Sequence, residues 1–75
     1  MKRNEKFLLS RDKGEHWTAY IVVRIRKGRP MVKFDGRPCM EMPLVVTDSE
    51  LAKYEAGEEA HAVVFGFQSL IKKKK

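Results

Sequence analysis

The clearest periodic pattern in the chain is an alternation of apolar and other side chains from residue 17 to residue 26. A period of two with many β-branched residues indicates a strand that buries one face. The opposite face then carries Tyr20, Arg24 and Arg26. The residues predicted to face the core are Trp17, Ala19, Ile21, Val23 and Ile25.

A second strand is predicted directly after this one, over residues 31–35. Gly28-Arg29 suits a two-residue hairpin loop of type II′, in which glycine takes the first position. That loop places Ile25 opposite Val32, so the apolar faces of the two strands coincide. We therefore expect an antiparallel hairpin with this register.

Three further strands are predicted from composition and turn residues. Residues 7–10 form a short first strand, and residues 39–46 form a strand in which Pro43 requires an edge or a bend. Residues 61–71 form a closing strand, apolar on both faces, with Gly66 as a possible bulge.

One short helix is predicted between the last two strands. Thr47 and Glu50 have the spacing of a capping box, which starts a helix, and Gly57 can end it. A capping box satisfies backbone amides that would otherwise lack a partner at the first turn. The helix is therefore one to two turns long.

These elements predict a mostly-β protein: a small antiparallel barrel of about five strands, with one short helix before the last strand. The order resembles that of SH3-like small barrels. OB-like barrels, which carry a helix between their third and fourth strands, are the alternative. Residues 1–71 are expected to form a single domain, and residues 72–75 a flexible basic tail.

The charges are segregated along the chain. Residues 1–37 hold eleven Lys and Arg against four acids, whereas residues 38–71 hold one base, Lys53, against six acids. The four C-terminal lysines bring the net charge to +6. Because a basic segment attracts polyanions and an acidic segment repels them, this segregation favours a nucleic-acid partner.

The predicted hairpin carries the candidate binding site on its outer face. Its register places Arg24 directly opposite Lys33, a repulsion of a few tenths to about 1 kcal/mol that a phosphate backbone would relieve. Tyr20 on the same face can stack on a base. Trp17 is either a core residue, which its shared face with Ile21, Val23 and Ile25 favours, or a second stacking platform. The residues predicted to contact nucleic acid are Tyr20, Arg24, Arg26, Lys27, Arg29, Lys33, Arg37, Lys72 and Lys73.

We expect a non-enzymatic regulatory protein that binds DNA or RNA, single- or double-stranded. The sequence has no Gly-rich phosphate loop, no nucleophile and base at a known spacing, and no paired carboxylates. The histidines and Cys39 lack the spacing of metal ligands, so neither a metal nor another cofactor is expected. One thiol and short apolar runs predict a cytoplasmic protein without membrane contact, either monomeric or dimeric.

The second hypothesis is a protein-binding regulator or inhibitor, of a kind found in phages and mobile elements. It would dock on a nucleic-acid enzyme such as an RNA polymerase or a nuclease. The dependence of binding affinity on salt concentration distinguishes the two hypotheses. Binding through phosphate contacts weakens steeply as salt rises, whereas binding through a protein interface with an apolar centre weakens much less. The acidic residues available for such docking are Glu41, Asp48, Glu50, Glu55, Glu58 and Glu59.

Overall fold

Six antiparallel strands close into a barrel in the computed structural model, which describes residues 1–74. Strands adjacent in sequence are adjacent in the barrel, and the first pairs with the sixth to close it. The prediction of a small mostly-β barrel with one short helix is confirmed, with six strands instead of about five. The elements are β1 (Lys6–Ser10), β2 (Thr18–Arg26), β3 (Arg29–Phe34), β4 (Met42–Val45), α1 (Asp48–Glu55), β5 (Ala60–Val64) and β6 (Phe67–Lys73).

The sixth strand arises because the predicted closing strand is a hairpin. Phe65 and Gly66 form its two-residue turn, with φ of 51° and 80°. Positive φ at both central positions is the property of a type I′ turn, which matches the twist of the flanking strands. The expectation that Gly66 marks a bulge is therefore wrong.

The register of the β2–β3 hairpin also differs from the prediction. Its turn residues are Lys27 and Gly28, with φ of 51° and 76°, and Arg26 pairs with Arg29. Glycine thus takes the second turn position, as in a type I′ turn, and not the first. A bulge at Val23 then shifts the register of β2 by one further residue.

The bulge decides which face of β2 is buried. A bulge places an extra residue in one strand, so the side-chain alternation changes phase across it. Tyr20 and Val22 are consequently buried inside the barrel. Trp17 and Ile21, which alternate with them, lie on the outside and are only half-buried, so their assignment to the core is wrong.

The core collects the inward side chains of the strands and one residue of α1. Three aromatic rings form a row inside the barrel, with ring centroids of Phe7 and Tyr20 5.7 Å apart and those of Tyr20 and Phe34 4.8 Å apart. Burial of these apolar surfaces is the main favourable contribution to folding. The buried apolar residues are Phe7, Leu9, Tyr20, Val22, Val32, Leu44, Tyr54, Ala60, Ala62, Val64 and Ile71.

Helix α1 begins as predicted and follows the fourth strand, not the third as in OB-like barrels. The Thr47 hydroxyl accepts a hydrogen bond from the Glu50 amide at 3.3 Å. The Glu50 carboxylate does not complete the capping box; it accepts from the His61 amide at 2.8 Å and lies 3.1 Å from Lys53 Nζ. These two contacts, the His61 amide first, lower the pKa of Glu50, and the contact with His61 fastens the helix to β5.

A buried tyrosine joins α1 to the chain that precedes β1. The Tyr54 hydroxyl donates a hydrogen bond to the Glu5 carboxylate, and the Glu5 carbonyl accepts from the Val22 amide at 2.9 Å. Burial, followed by the hydrogen bond to Glu5, raises the pKa of Tyr54 above its usual range. Three separate segments therefore meet at this contact.

Replacing Tyr54 by Phe should lower the free energy of unfolding by about 1.5–3 kcal/mol, because it removes a hydrogen bond to a charged group. Urea unfolding followed by circular dichroism measures the change. Glu5→Gln keeps an acceptor for the hydroxyl and should cost less. Equal stability of Tyr54→Phe and the parent would contradict the structural role of this hydrogen bond.

Replacing Phe65 by Asn should raise the free energy of unfolding by about 1 kcal/mol, because an ordinary side chain is strained at positive φ and Asn tolerates it. The Phe65 side chain is 66 % exposed, so little packing is lost. Phe67→Asn is the control, since Phe67 is also exposed but lies in β6. If Phe65→Asn were less stable than the parent, the prediction would be wrong, and the Phe65 ring would contribute packing that outweighs the strain of its positive φ.

Candidate functional site

The turn between β2 and β3 concentrates positive charge. Arg26 and Arg29 are direct cross-strand partners, and Lys27 lies between them in the turn. All three side chains are exposed, and none forms an ion pair within residues 1–74. Like charges opposite each other destabilise a hairpin unless an anion binds there. We call Arg26, Lys27 and Arg29 the basic tip.

A shallow groove borders the basic tip on the outside of the barrel. Met31 and Pro43, which are cross-strand partners, line the groove together with the three cations. Arginine and lysine side chains bind phosphate oxygens through charge-assisted hydrogen bonds. The groove can therefore hold an anionic group at its rim and an apolar group against its floor.

The predicted pairing of Arg24 with Lys33 is wrong. Arg24 lies opposite Met31, and Lys33 lies opposite Ile21. Arg24 donates from Nη2 to Glu41 Oε1 at 2.8 Å, so its charge is partly neutralised. Lys33 points outward next to the buried Val32 and has no carboxylate partner within the described residues. The repulsion expected at this pair occurs at the basic tip instead.

Tyr20 is not a surface residue. Its side chain is 1 % exposed and packs between Phe7 and Phe34 inside the barrel. Burial, more than any nearby charge, raises the pKa of its hydroxyl. The prediction that Tyr20 stacks on a base is therefore wrong.

Arg37 does not extend the charged turn. It is exposed in the connection that follows β3. Because β3 starts at Arg29 and ends at Phe34, this connection lies at the opposite end of the strand from the basic tip. A ligand bound at the tip alone would not reach it.

Two lysines of the predicted tail belong to the barrel. Strand β6 continues through Lys73, so Lys72 and Lys73 are not part of a flexible end. Lys73 Nζ lies 3.6 Å from a Glu55 carboxylate oxygen and 5.8 Å from the centre of the Tyr54 ring. Lys73 thus helps to hold α1 on the barrel, while the last tail residue, Lys75, lies outside the described part of the chain.

A half-buried apolar surface on the outside of β6, β1 and β2 was missed by the sequence prediction. The alternation correctly grouped three of its members, but it placed them in the core. Lysines border this surface, and Lys72 Nζ lies 4.2 Å from the centre of the Trp17 ring. We call these residues the outer strip: Leu8, Trp17, Ala19, Ile21 and Leu70.

The acidic residues do not form a free docking surface. Glu41 contacts Arg24 and so lies within the basic region. Glu50 and Glu55 hold α1 to its neighbours. The acids of the predicted flank that form no ion pair within residues 1–74 are Asp48, Glu58 and Glu59.

A cluster of Asp12, Glu15 and His16 in the β1–β2 loop brings possible metal-ligand atoms within 4.8 Å of one another. Its hydrogen bonds give it a structural role. Asp12 Oδ1 accepts from the Ser10 hydroxyl at 2.6 Å and from the His16 amide at 2.8 Å, and Oδ2 lies 2.5 Å from His16 Nδ1. These contacts, the Ser10 hydroxyl first, hold the pKa of Asp12 far below its usual range. The cluster closes the loop that leads into Trp17.

Comparison of the chain with protein-family models, curated proteins and solved structures gave no match. In residues 1–74, the helical content is too short and too polar for any helix to span a bilayer.

Replacing Asp12 by Asn should destabilise the protein at neutral pH but not in strong acid. A carboxyl with a depressed folded-state pKa stabilises the fold above its unfolded pKa of about 3.9, and this contribution is lost as the pH falls below that value. Urea unfolding at several pH values should show the difference between variant and parent shrinking below about pH 4. Glu15→Gln should follow the parent, and a difference that is constant with pH would exclude a role for the charge.

Proposed function

We propose that this protein binds nucleic acid without catalysing a reaction and that the basic tip contacts the phosphate backbone. The main support is the direct pairing of Arg26 with Arg29, with Lys27 between them and none of the three in an ion pair within residues 1–74. Three cations within four residues repel one another in the free protein. A bound phosphate backbone converts this repulsion into attraction.

The unequal use of charges by the fold supports the same proposal. The chain has sixteen Lys and Arg residues, fifteen of them within residues 1–74, and four of these form ion pairs: Lys6, Arg24, Lys53 and Lys73. Six of the ten carboxylates, in contrast, accept hydrogen bonds or form ion pairs. Eleven of the fifteen cations within residues 1–74 therefore have no ion-pair partner, and they favour association with polyanions.

The length of the hairpin makes the basic tip accessible. The last bridge between β1 and β2 joins Lys6 to Ile21, whereas β2 continues to Arg26. The last residues of β2 are thus paired with β3 but not with β1. An exposed end of a two-stranded ribbon can approach a nucleic-acid groove or backbone without displacing other parts of the fold.

A protein-binding regulator that attaches to a nucleic-acid enzyme is the second candidate. Apolar side chains at the β5–β6 turn and in the β3–β4 connection favour it: Phe65, Phe67 and Met40 are 66 %, 55 % and 81 % exposed. Exposed apolar groups of this size are typical of protein contacts when they form one patch. The acidic residues give this protein-binding candidate less support, because Glu50 and Glu55 already form ion pairs within the protein.

Replacing Arg26 and Arg29 together by Thr should weaken nucleic-acid binding and keep the fold. The change removes a cross-strand repulsion, and Thr suits strands, so stability should be equal or slightly higher. Fluorescence anisotropy of labelled DNA and RNA between about 50 and 200 mM salt should show the slope of log K against log salt falling by roughly 1–2, about one per lost phosphate contact.

The matched control removes the same charge elsewhere, by Arg37→Thr with Lys13→Gln. Both residues are exposed and lie outside the basic tip. An equal loss of affinity in the control would mean that overall charge, and not the tip, binds the ligand. Absence of binding to any nucleic acid at low salt would replace this proposal with the protein-binding candidate.

A further inference from the structure

The outer strip lies between lysines in an arrangement fixed by strand pairing. Ile21 is the direct partner of Lys6 on β1 and of Lys33 on β3, so one row across the sheet has an apolar centre and a cation on each side. Neighbouring strands are about 4.8 Å apart, which places the two lysine backbones roughly 10 Å from each other. The row is therefore a narrow apolar surface with a lysine on each side.

A second row lies one pleat further along the sheet and has a lysine on one side only. Leu8 is the direct partner of Ala19 on β2 and of Lys72 on β6. Residues two apart in a strand are about 7 Å apart and point to the same face. The two rows thus form one continuous surface on the outside of the barrel.

Trp17 extends this surface toward the β1–β2 loop. It is the only tryptophan in the chain, and its side chain is half-buried. Lys72 Nζ lies over its ring at 4.2 Å, and a Cβ added at Gly14 would lie 3.6 Å from the Trp17 Cζ2 atom. The ring is held in place by the loop and by a cation, while part of it faces solvent.

Exposed apolar surface of this kind needs an explanation. The bulge at Val23 leaves apolar side chains outside the barrel, where the stems of long lysines can cover them only in part. Lys33 and Lys72 form no ion pair within the described part of the chain, so no carboxylate neutralises their ammonium groups, although that of Lys72 rests on the Trp17 ring. Lys6 is less available, because its ammonium lies 3.5 Å from Asp35.

We propose that the outer strip binds single-stranded nucleic acid, with bases packed on Trp17, Leu8 and Ile21 and phosphates at Lys33 and Lys72. This inference rests on the proposed nucleic-acid function and makes it more specific. A duplex hides the faces of its bases in the stack and would meet only the lysines. A single strand exposes both its bases and its phosphates, and aromatic platforms with basic borders bind such strands.

The basic tip and the outer strip lie on one surface. Arg26 and Arg29 point outward at the end of the hairpin, and Lys33 points outward further along β3. A single strand that follows the hairpin can therefore contact both regions. The tip contributes phosphate contacts to any nucleic acid, whereas the outer strip distinguishes single strands from duplexes.

The test uses the one tryptophan as a reporter of binding. Oligothymidylate should quench the Trp17 fluorescence of the full chain, because a base stacks on the ring, whereas a duplex of the same length should not. Anisotropy of the labelled strand should show a roughly 10-fold loss of affinity for Trp17→Leu and for Ile21→Thr. Val63→Thr, at another half-buried outward position on β5, is the matched control and should bind as the parent does.

A second variant keeps the apolar residues intact, so a folding defect in the first set does not decide the outcome. Lys33→Gln with Lys72→Gln should lower the salt slope for oligothymidylate by roughly 1.4, about 0.7 for each phosphate contact on a single strand. Equal affinity for single strands and duplexes, without quenching and without an effect of these lysines, would overturn the inference. If the Arg26→Thr, Arg29→Thr variant still lost binding in that case, the proposed function itself would stand.

Discussion

The bulge at Val23 is the constraint on which the rest of this structure depends. A strand alternates strictly, so without an extra residue Tyr20 and Val22 would share a face with Arg24 and Arg26. That arrangement would either bury two arginines or expose two core residues, and both are costly. The bulge removes the conflict, because it changes the phase of the alternation: Tyr20 and Val22 point inward before it, and Arg24 and Arg26 point outward after it.

Strand β2 therefore contributes both to the core and to the charged surface. Several acidic residues are used in contacts elsewhere in the fold and so do not pair with the cations of that surface. Glu5 joins α1 to β2, and Glu50 joins α1 to β5. Asp12 closes the β1–β2 loop through hydrogen bonds within the loop. Carboxylates used in this way cannot screen the cations of the hairpin. The cations of the basic tip therefore remain without ion pairs within residues 1–74, and Ile21 lies between two lysines on the outside of the same sheet.

One local signal, the helix cap, predicted its contact correctly, whereas both hairpin turns were misassigned and contacts between distant segments were not predicted. Thr47 caps α1 as expected, because the cap is formed within one turn of chain. Its partner Glu50 bonds His61 instead of completing the box, since a strand eleven residues away offers a free amide. At Gly28 and Gly66, placing glycine second in a type I′ turn would have given both hairpin turns correctly. The bulge left no such local signal.

The sequence alone determined the first four strands, the helix, the antiparallel barrel architecture and the excess of positive charge, because these follow from periodicity, caps and composition. It merged β5 and β6 into one strand. The tertiary structure decided which side of β2 is buried. Both faces of that strand are apolar: Trp17 and Ile21 alternate with Tyr20 and Val22, so the pattern is symmetric between inside and outside. Only closure of the barrel around its aromatic row breaks that symmetry, since the interior has room for one of the two sets.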